Sequence, residues 1–332
     1  MSTITILQLA FGEMGESVLR SLINDARFEV VGVVTPPATA AFYRHTNLLP
    51  QEKLAQDMDV EVFKTADLSE LHKLVVQLKP ELVLIASFNK IIPPQILNLS
   101  KFVNIHHGKL PRQRGRANLN WAIINGEPSV SVSVHEAVRD LDAGDILRQY
   151  HLTIRPQDDI ASIYAEINQV LEEKLPDLLS EYLAGRIQLQ AQDHSRATYY
   201  CTRLPDDGMI DWSWPSARIS NFIRALRKPF PGAYTYFDDQ KLTIWEVREP
   251  DAPRVFEGIV PGRIVGIHKG VGVEILAGDG PLLITDVEGA EISGDPSQII
   301  HSSRCTLGLT IPDLLRRLEQ LNRDPALTKF VH

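Results

Sequence analysis

Three polar side chains in the first half of this 332-residue chain have the chemistry that acyl transfer to an amine requires. Asn104 and His106 stand two positions apart, and Asp142 follows further along the chain. An amide can donate a hydrogen bond to a developing oxyanion. An imidazole can move a proton near neutral pH, and a carboxylate can orient that imidazole or relay the proton. The sequence leaves open whether His106 accepts the proton of the amine or donates to the oxyanion.

The elements that must position these side chains are short buried strands. Residues 81–88 and Phe102-Val103 are apolar runs bounded by prolines, which is typical of strands in a sheet core. Polar residues that follow such strands lie where open α/β sheets bind ligands. Alternating strand and helix patterns predict an α/β fold, with a doubly wound, mainly parallel, Rossmann-like sheet over residues 1–190. The strands are expected at 3–9, 28–34 and 81–88, and the helices at 16–24, 53–56, 68–79 and 159–183.

A change of pattern predicts a second domain. Residues 191–240 are expected to connect the two, and residues 241–332 to form a small β-rich domain. Short strand patterns with glycine-containing turns favour a small barrel of the open five-stranded, OB-like kind. Those strands are expected at 241–247, 258–267, 272–276 and 282–287, with a closing helix at 310–322.

The motifs around the three polar residues resemble those of the folate-dependent formyltransferases. In that family an Asn-x-His is followed by Leu-Pro-x-x-x-Gly and, downstream, by Asp-x-Gly-x-Ile. The positions that match here are Asn104, His106, Leu110, Pro111, Gly115, Asp142, Gly144 and Ile146. The resemblance implies a catalytic triad of Asn104, His106 and Asp142, and 10-formyltetrahydrofolate as co-substrate, without a metal. One departure is that the usual Ser-Leu-Leu-Pro reads Gly108-Lys109-Leu110-Pro111.

Two longer stretches resemble a sugar N-formyltransferase, the domain that acts on UDP-4-amino-4-deoxy-L-arabinose. Residues 114–121 match its Arg-Gly-Arg-Ala-Pro-Leu-Asn-Trp, except for Asn118 in place of the proline. Residues 203–212 and 228–234 are also similar to that domain. Glycinamide ribonucleotide formyltransferases are single-domain, so they do not account for the residues after about 205. Methionyl-tRNA formyltransferases have a second domain and remain the alternative.

The resemblance also implies binding residues. For folate, apolar walls and an arginine that matches a carboxylate tail suit the ligand. The folate candidates are Phe88, Asn89, Lys90, Arg116, Val138, Arg139, Asp140 and Leu141. The candidates for a nucleotide-linked sugar are Arg112, Arg114, Trp121, Pro205, Asp206, Asp207, Lys228 and Tyr234. Trp121 also fits an apolar helix pattern, and core packing explains it equally well. Two further imidazoles are weaker candidates: His107 should point away from the site on an extended segment, and His135 reads as structural.

Composition narrows the class of partner. The net charge of −8 and the pI near 5.7 disfavour broad nucleic-acid binding. Residues 251–300 contain three basic and eight acidic side chains, where a tRNA-binding domain should show the reverse. The segment 35–45 contains a single arginine, whereas tRNA enzymes of this family usually have a basic loop there. We therefore expect a small-molecule acceptor, with tRNA less favoured.

Other features point to a cytoplasmic enzyme. The N-terminal residues alternate like a strand and lack a basic flank, so a signal peptide is not expected, and no apolar run is long enough for a membrane helix. Cys201 and Cys305 have no partner motif, which fits a reducing compartment and no zinc site. Gly12 and Gly15 do not complete a dinucleotide fingerprint and are expected in a turn. An apolar strand edge in the small domain could pair two chains as a homodimer.

Three hypotheses follow in order. The first is an enzyme that formylates the amine of a UDP- or dTDP-linked 4-amino sugar. The second is methionyl-tRNA formyltransferase. The third, from a different class, is a folate-binding or regulatory module without activity, which only the Gly108-Lys109 departure favours. A dehydrogenase built on Gly12 and Gly15 ranks last.

Overall fold

A computed structural model of the chain describes residues 3–37, 49–238, 240–289, 291–309, 314–316 and 318–319. These residues form two compact units. The first comprises the described residues up to Arg203 except Ile123–Gly126, and the second comprises Ile123–Gly126 and the described residues from Leu204. Of the predicted connecting segment, residues 191–203 therefore lie in the first unit and residues 204–240 in the second.

The first unit alternates strands and helices. Its strands are β1 (Ile4–Ala10), β2 (Phe28–Thr35), β3 (Val62–Lys64), β4 (Leu82–Ala86), β5 (Lys101–His106), β6 (Arg114–Gly115), β7 (Ser129–Glu136), β8 (Ile146–Thr153) and β9 (Tyr199–Tyr200). The helices are α1 (Gly12–Ile23), α2 (Pro50–Asp57), α3 (Leu68–Leu78), α4 (Pro94–Leu97), α5 (Asn118–Ile124), which runs into the second unit, and α6 (Ile160–Leu183).

Seven of these strands form one sheet in the order β3-β2-β1-β4-β5-β7-β8. The first five are parallel, while β7 is antiparallel to both β5 and β8. The mainly parallel sheet predicted from the sequence is confirmed, and the antiparallel pair at one side is an addition to it. Helices cover both faces: α3 packs against one apolar cluster of β1 and β4, and α1 and α2 against another. Burial on both faces explains why β4 is apolar at every position.

The glycines that follow β1 differ from the expectation. Gly12 has a φ of 68° and opens α1, and Gly15 lies inside that helix. A Cβ at Gly15 would lie 3.0 Å from the Cβ of Ala10. The helix therefore begins before the predicted Glu16, and Gly15 serves close packing of the helix on the strand rather than a turn.

The second unit is built on an antiparallel sheet. Its elements are α7 (Ser216–Ala225), β10 (Ala233–Phe237), β11 (Gln240–Arg248), β12 (Ile264–His268), β13 (Gly272–Leu276), β14 (Pro281–Gly289) and β15 (Ile292–Gly294). The strand order is β10-β11-β14-β13-β12, with β15 beside β14. Among the described residues β10 and β12 do not pair with each other, so the predicted barrel is not confirmed. Of the closing helix predicted at 310–322, residues 314–316 and 318–319 are helical and the rest lies outside the described residues.

Two other predictions concern the segment 35–45 and membrane helices. Most of the segment 35–45, expected to lack a basic cluster, lies outside the described residues. None of the described helices is long and apolar enough to cross a membrane.

Candidate active site

Strand β5 places Asn104 and His106 on one face of the sheet, because side chains two positions apart in a strand point the same way. Both lie near the carboxyl end of the strand, next to the point where the chain leaves the sheet. The antiparallel strand β7 puts His135 directly opposite Asn104 and Ser133 opposite His106. Four polar side chains of two neighbouring strands thus meet at one edge of the sheet.

Asp142 completes the cluster from the loop between β7 and β8. Its Oδ2 lies 3.4 Å from Nδ1 of His106, and its Oδ1 lies 3.4 Å from Nδ2 of Asn104. The backbone N–H of Gly115 donates to the same Oδ2 at 3.0 Å. Asp142 and His106 are both buried. The structure therefore brings together the amide, the imidazole and the carboxylate that the sequence motifs single out.

The second ring nitrogen of His106 also faces an oxygen. Its Nε2 lies 2.7 Å from the backbone carbonyl of Gln113, which can only accept, so the proton on Nε2 donates to it. The side-chain amide of Asn118 contacts the same carbonyl. A substrate oxygen that displaced this carbonyl would accept a hydrogen bond from Nε2 of an imidazole that Asp142 already orients.

Gly108 leaves room for this ring. A Cβ at position 108 would lie 2.5 Å from Nε2 of His106 and 2.5 Å from the carbonyl oxygen of Gln113. Two side-chain hydrogen bonds hold the turn that follows. Ser133 Oγ donates to the carbonyl of Gly108 at 2.5 Å. Gln149 Nε2 donates to the carbonyl of Leu110 at 2.9 Å. The glycine that departs from the family pattern is thus compatible with an intact triad.

His135 is a site residue that the sequence reasoning missed. Its Nδ1 lies 2.7 Å from the carbonyl of Glu136, so Nδ1 carries a proton and donates. In the neutral ring Nε2 then accepts, and Nδ2 of Asn104 donates to it at 3.0 Å. Burial and the neighbouring His106 lower the pKa of His135 to about 4, although Asp142 opposes this. The signal in the sequence was its place at the end of an alternating strand, where an antiparallel pairing sets it against Asn104.

His107 takes no part in the cluster. Its ring lies edge-on against Tyr164 of α6, with ring centroids 5.4 Å apart. Its Nε2 is buried and has no hydrogen-bond partner among the described residues. Burial, followed by the neighbouring His106, lowers the pKa of His107 to about 3. The ring is therefore neutral at physiological pH.

The predicted folate residues lie on two exposed segments of the first unit. One segment follows β4 and carries Phe88, which is half-buried, and the exposed Asn89 and Lys90. The other contains Val138, Arg139, Asp140 and Leu141, all exposed, and it runs directly into Asp142. Arg116, also exposed, donates through Nη2 to the carbonyl of Asn89 at 2.9 Å. Exposed apolar side chains beside the buried carboxylate of Asp142 are suited to hold a flat ligand.

The predicted substrate residues are divided between the two units. In the first unit Arg112 is exposed, whereas Arg114 is 4% exposed and its guanidinium is engaged by neighbouring side chains. Trp121 is half-buried: it stacks on Tyr200 with centroids 6.2 Å apart, and Arg203 lies 4.8 Å from its ring centroid. The indole ring is thus already in contact with protein groups.

The remaining predicted residues lie in the second unit. Pro205, Asp206 and Asp207 form an exposed 3-10 turn, in which Asp207 Oδ2 accepts from the N–H of Leu204 at 2.7 Å. Tyr234 is buried, and its hydroxyl donates to the carbonyl of Asp206 at 3.1 Å. Lys228 is exposed and lies 5.0 Å from the ring centroid of Trp245. Each unit therefore has exposed polar side chains among the predicted substrate residues: Arg112 in the first, and Asp206, Asp207 and Lys228 in the second.

Taken together, the cluster on the mainly parallel sheet holds an amide, an imidazole and a carboxylate, the groups that acyl transfer to an amine uses. The chain belongs to the formyl transferase family: the model described as formyl transferase matches residues 4–179, and the one described as formyl transferase, C-terminal domain, matches residues 204–295. This is the family that the sequence motifs predicted.

Solved structures with a similar fold are only distantly related in sequence. HypX from Aquifex aeolicus in complex with tetrahydrofolic acid is 19% identical, with a TM-score of 0.62 over 91% of this chain and 48% of that one. This chain thus spans about half the length of HypX. A methionyl-tRNA formyltransferase from Clostridium thermocellum is 18% identical, with a TM-score of 0.54 over 82% of this chain and 99% of that one. WlaRD, a sugar 3N-formyl transferase solved with dTDP and 5-N-formyl-THF, is 15% identical, with a TM-score of 0.58 over 88% and 100%.

Proposed function

We propose that this formyltransferase moves the formyl group of 10-formyltetrahydrofolate to the amine of a nucleotide-linked 4-amino sugar. The observation that carries the proposal is the cluster of Asn104 with the buried His106 and Asp142, in which every pair is joined directly or through one shared partner. Two similar structures bear a folate, which supports the donor. The exposed segments that carry Phe88 and Leu141 are the surfaces on which the folate would lie.

In the proposed reaction the amine nitrogen attacks the formyl carbon, and a new C–N bond forms. The carbonyl oxygen becomes an oxyanion, which Asn104 and the Nε2 proton of His106 are placed to stabilise. The amine proton passes by way of His106 or a water to N10 of the folate. The bond between N10 and the formyl carbon then breaks, and tetrahydrofolate leaves. Asp142 keeps the imidazole oriented throughout.

One of the two amide hydrogens of Asn104 is held weakly enough to serve this role. The hydrogen held by His135 makes the shorter contact, 3.0 Å, whereas the one facing Asp142 makes a contact of 3.4 Å. The longer contact is weaker and is the one that an oxyanion can replace. His135 therefore fixes which edge of the amide faces the reacting carbon.

The sugar acceptor is supported by sequence and charge. Residues 114–121 and 203–212 resemble a sugar-modifying domain, and the net charge of −8 does not favour a polyanionic acceptor. Of the two arginines proposed for the diphosphate, Arg112 has the exposed guanidinium. The alternative acceptor, an aminoacyl-tRNA, is supported by the similar fold of the enzyme from Clostridium thermocellum.

A competition assay distinguishes these acceptors. The enzyme receives 10-formyltetrahydrofolate with UDP- and dTDP-linked amino sugars and charged initiator tRNA, and mass spectrometry identifies the formylated product. A formylated nucleotide sugar supports the proposal. A formylated aminoacyl-tRNA replaces the proposal with the alternative. The variant His107→Phe, which leaves the triad intact, is the control and should give the wild-type product.

A further inference from the structure

The backbone of Asp142 has an uncommon conformation. Asp142 has a φ of 50°, a conformation that a residue other than glycine adopts only when its surroundings hold it there. The three residues before it are exposed, so burial of the preceding loop does not hold it. The carboxylate must nevertheless remain in contact with His106.

One buried side chain ties this loop down. Gln192 is 7% exposed, and its Nε2 donates to the carbonyl of Asp142 at 2.9 Å and to the carbonyl of Gly144 at 2.6 Å. The two hydrogens of a single amide nitrogen thus bind the carbonyls on either side of residue 143.

A buried arginine fixes the orientation of that glutamine. Nη2 of Arg114 donates to Oε1 of Gln192 at 2.8 Å, and it contacts Nδ1 of His194 at 2.9 Å. Because a guanidinium has only donors, the amide oxygen must face Arg114 and the amide nitrogen must face the loop. Arg114 adjoins Gly115, whose N–H binds the carboxylate of Asp142.

We infer that Gln192 and Arg114 are positioning residues that hold Asp142 in its catalytic place. Asp142 is held at two points. Gln192 binds its backbone carbonyl, and the backbone N–H of Gly115, next to Arg114, binds its carboxylate. Neither side chain needs to touch a substrate to act. This assigns to Arg114 a role different from the diphosphate contact expected from the sequence. The catalytic part of the inference rests on the proposed function, whereas the structural part does not.

The test begins with Gln192→Glu. Glutamate keeps the length and pairs with Arg114, but it turns an acceptor toward the two carbonyls. Gln192→Asn, which keeps the amide on a shorter side chain, is the second variant if the first folds poorly. The control is Gln51→Met, which alters another buried glutamine, on α2, whose side-chain amide donates to Thr35. Hydrogen exchange should accelerate at the amide of Gly115 and in residues 140–145 of the Gln192 variants, with no such change in the control. Unaltered exchange there would refute the tie itself, whether or not formyl transfer is observed.

The catalytic consequence is measured with the acceptor from the competition assay. A shift of the carboxylate by a fraction of an ångström to 1 Å should lower kcat by about 10- to 100-fold, with KM for 10-formyltetrahydrofolate changed by less than about threefold. In an Asp142→Asn background the same substitution should lower kcat by no more than about twofold, because the group that Gln192 positions has lost its charge. Equal losses in both backgrounds would overturn the positioning role. If the wild type formylates no acceptor, the proposed function fails while the exchange result still decides the tie.

Discussion

At the scale of single residues, two neighbouring histidines have opposite surroundings: His106 is the last residue of β5, and His107 follows it. His106 contacts a carboxylate through one nitrogen and a carbonyl through the other, whereas His107 packs on an aromatic ring with a nitrogen left unsatisfied. Of these two adjacent residues, one ring thus lies in the polar cluster and the other in the packing between sheet and helix.

Replacing His106 with asparagine should lower kcat by about 10³-fold, within the range for loss of a general acid–base group. The affinity for tetrahydrofolate should change little, because the proposed folate surface lies on other segments. Steady-state kinetics and quenching of intrinsic fluorescence by tetrahydrofolate measure the two quantities. A variant that keeps wild-type kcat would exclude His106 from the chemistry, and a loss of folate binding equal to the loss of kcat would mean that it binds rather than catalyses.

His135→Phe should act through Asn104. The substitution removes the acceptor that holds one amide hydrogen, so the amide is free to rotate and kcat should fall by about 10²-fold, as for loss of an oxyanion donor. Asn104→Ala should cost at least as much. The double variant should be no slower than Asn104→Ala alone, because both changes remove the same interaction. Additive losses in kcat would show that His135 has a separate function.

At the scale of elements, the contact between the end of β5 and α6 makes stability depend on pH. His107 has a pKa of about 3 in the folded protein and an ordinary value of 6.5. Between these values the unfolded chain binds a proton that the folded chain does not, so the free energy of unfolding falls as the pH is lowered. The stability that the neutral His107 contributes is therefore fully present above pH 6.5 and is lost as the pH falls towards 3.

His107→Phe should remove this dependence. Phenylalanine keeps the edge-on packing against Tyr164 and lacks the unsatisfied nitrogen, so it should stabilise the protein by about 1 kcal/mol at pH 7. On going from pH 7 to pH 5 the variant should lose about 2 kcal/mol less than the wild type. Urea unfolding followed by circular dichroism at the two pH values measures both effects. His135, whose pKa is about 4, should maintain a residual slope in the variant. Identical slopes in the two proteins would show that His107 is accessible to protons in the folded state.

The sequence predicted the elements whose signal is local. The apolar runs of β1 and β4 and the amphipathic pattern of α6 were found nearly to their ends. Burial on one face imposes a period on the sequence, and burial on both faces imposes an unbroken apolar run. The pairing of β6 with β9 was not foreseen: each is two residues long, and they are joined only by tertiary contacts. The start of α1 was misplaced because glycines are weak helix formers, and here packing on Ala10 overrides propensity.

The site was predictable to a similar degree. Family motifs singled out Asn104, His106 and Asp142, which the structure brings together. The diphosphate contact predicted for Arg114 gave no indication that this arginine is buried. Its burial depends on Gln192 and His194, which are distant in sequence, and no local pattern indicates such partners. His135 was missed for the same reason, since only the antiparallel register sets it against Asn104.

At the scale of the whole molecule, the charge distribution bears on the acceptor. The net charge is −8, and residues 251–300, most of which lie in the antiparallel sheet and its turns, contain eight acidic and three basic side chains. A long polyanion gains affinity by releasing counterions from many phosphates, which needs clustered lysines and arginines. A nucleotide diphosphate needs only one or two cationic contacts, for which the exposed Arg112 suffices.

The acceptor should therefore reveal itself in the salt dependence of the reaction. If a nucleotide-linked sugar is the substrate, raising the salt from 50 to 200 mM should increase its KM by less than about tenfold, because few ions are released. A tRNA acceptor held through six to ten phosphates would lose about 10³- to 10⁵-fold in affinity over the same range. Arg112→Gln should raise the KM of the sugar nucleotide by about tenfold at low salt and flatten the remaining dependence, since it removes the charge that salt screens. Initial rates at four salt concentrations, with wild type and variant, give both slopes. A steep slope with tRNA that Arg112→Gln leaves unchanged would place the cationic contacts elsewhere on the molecule and favour the alternative acceptor.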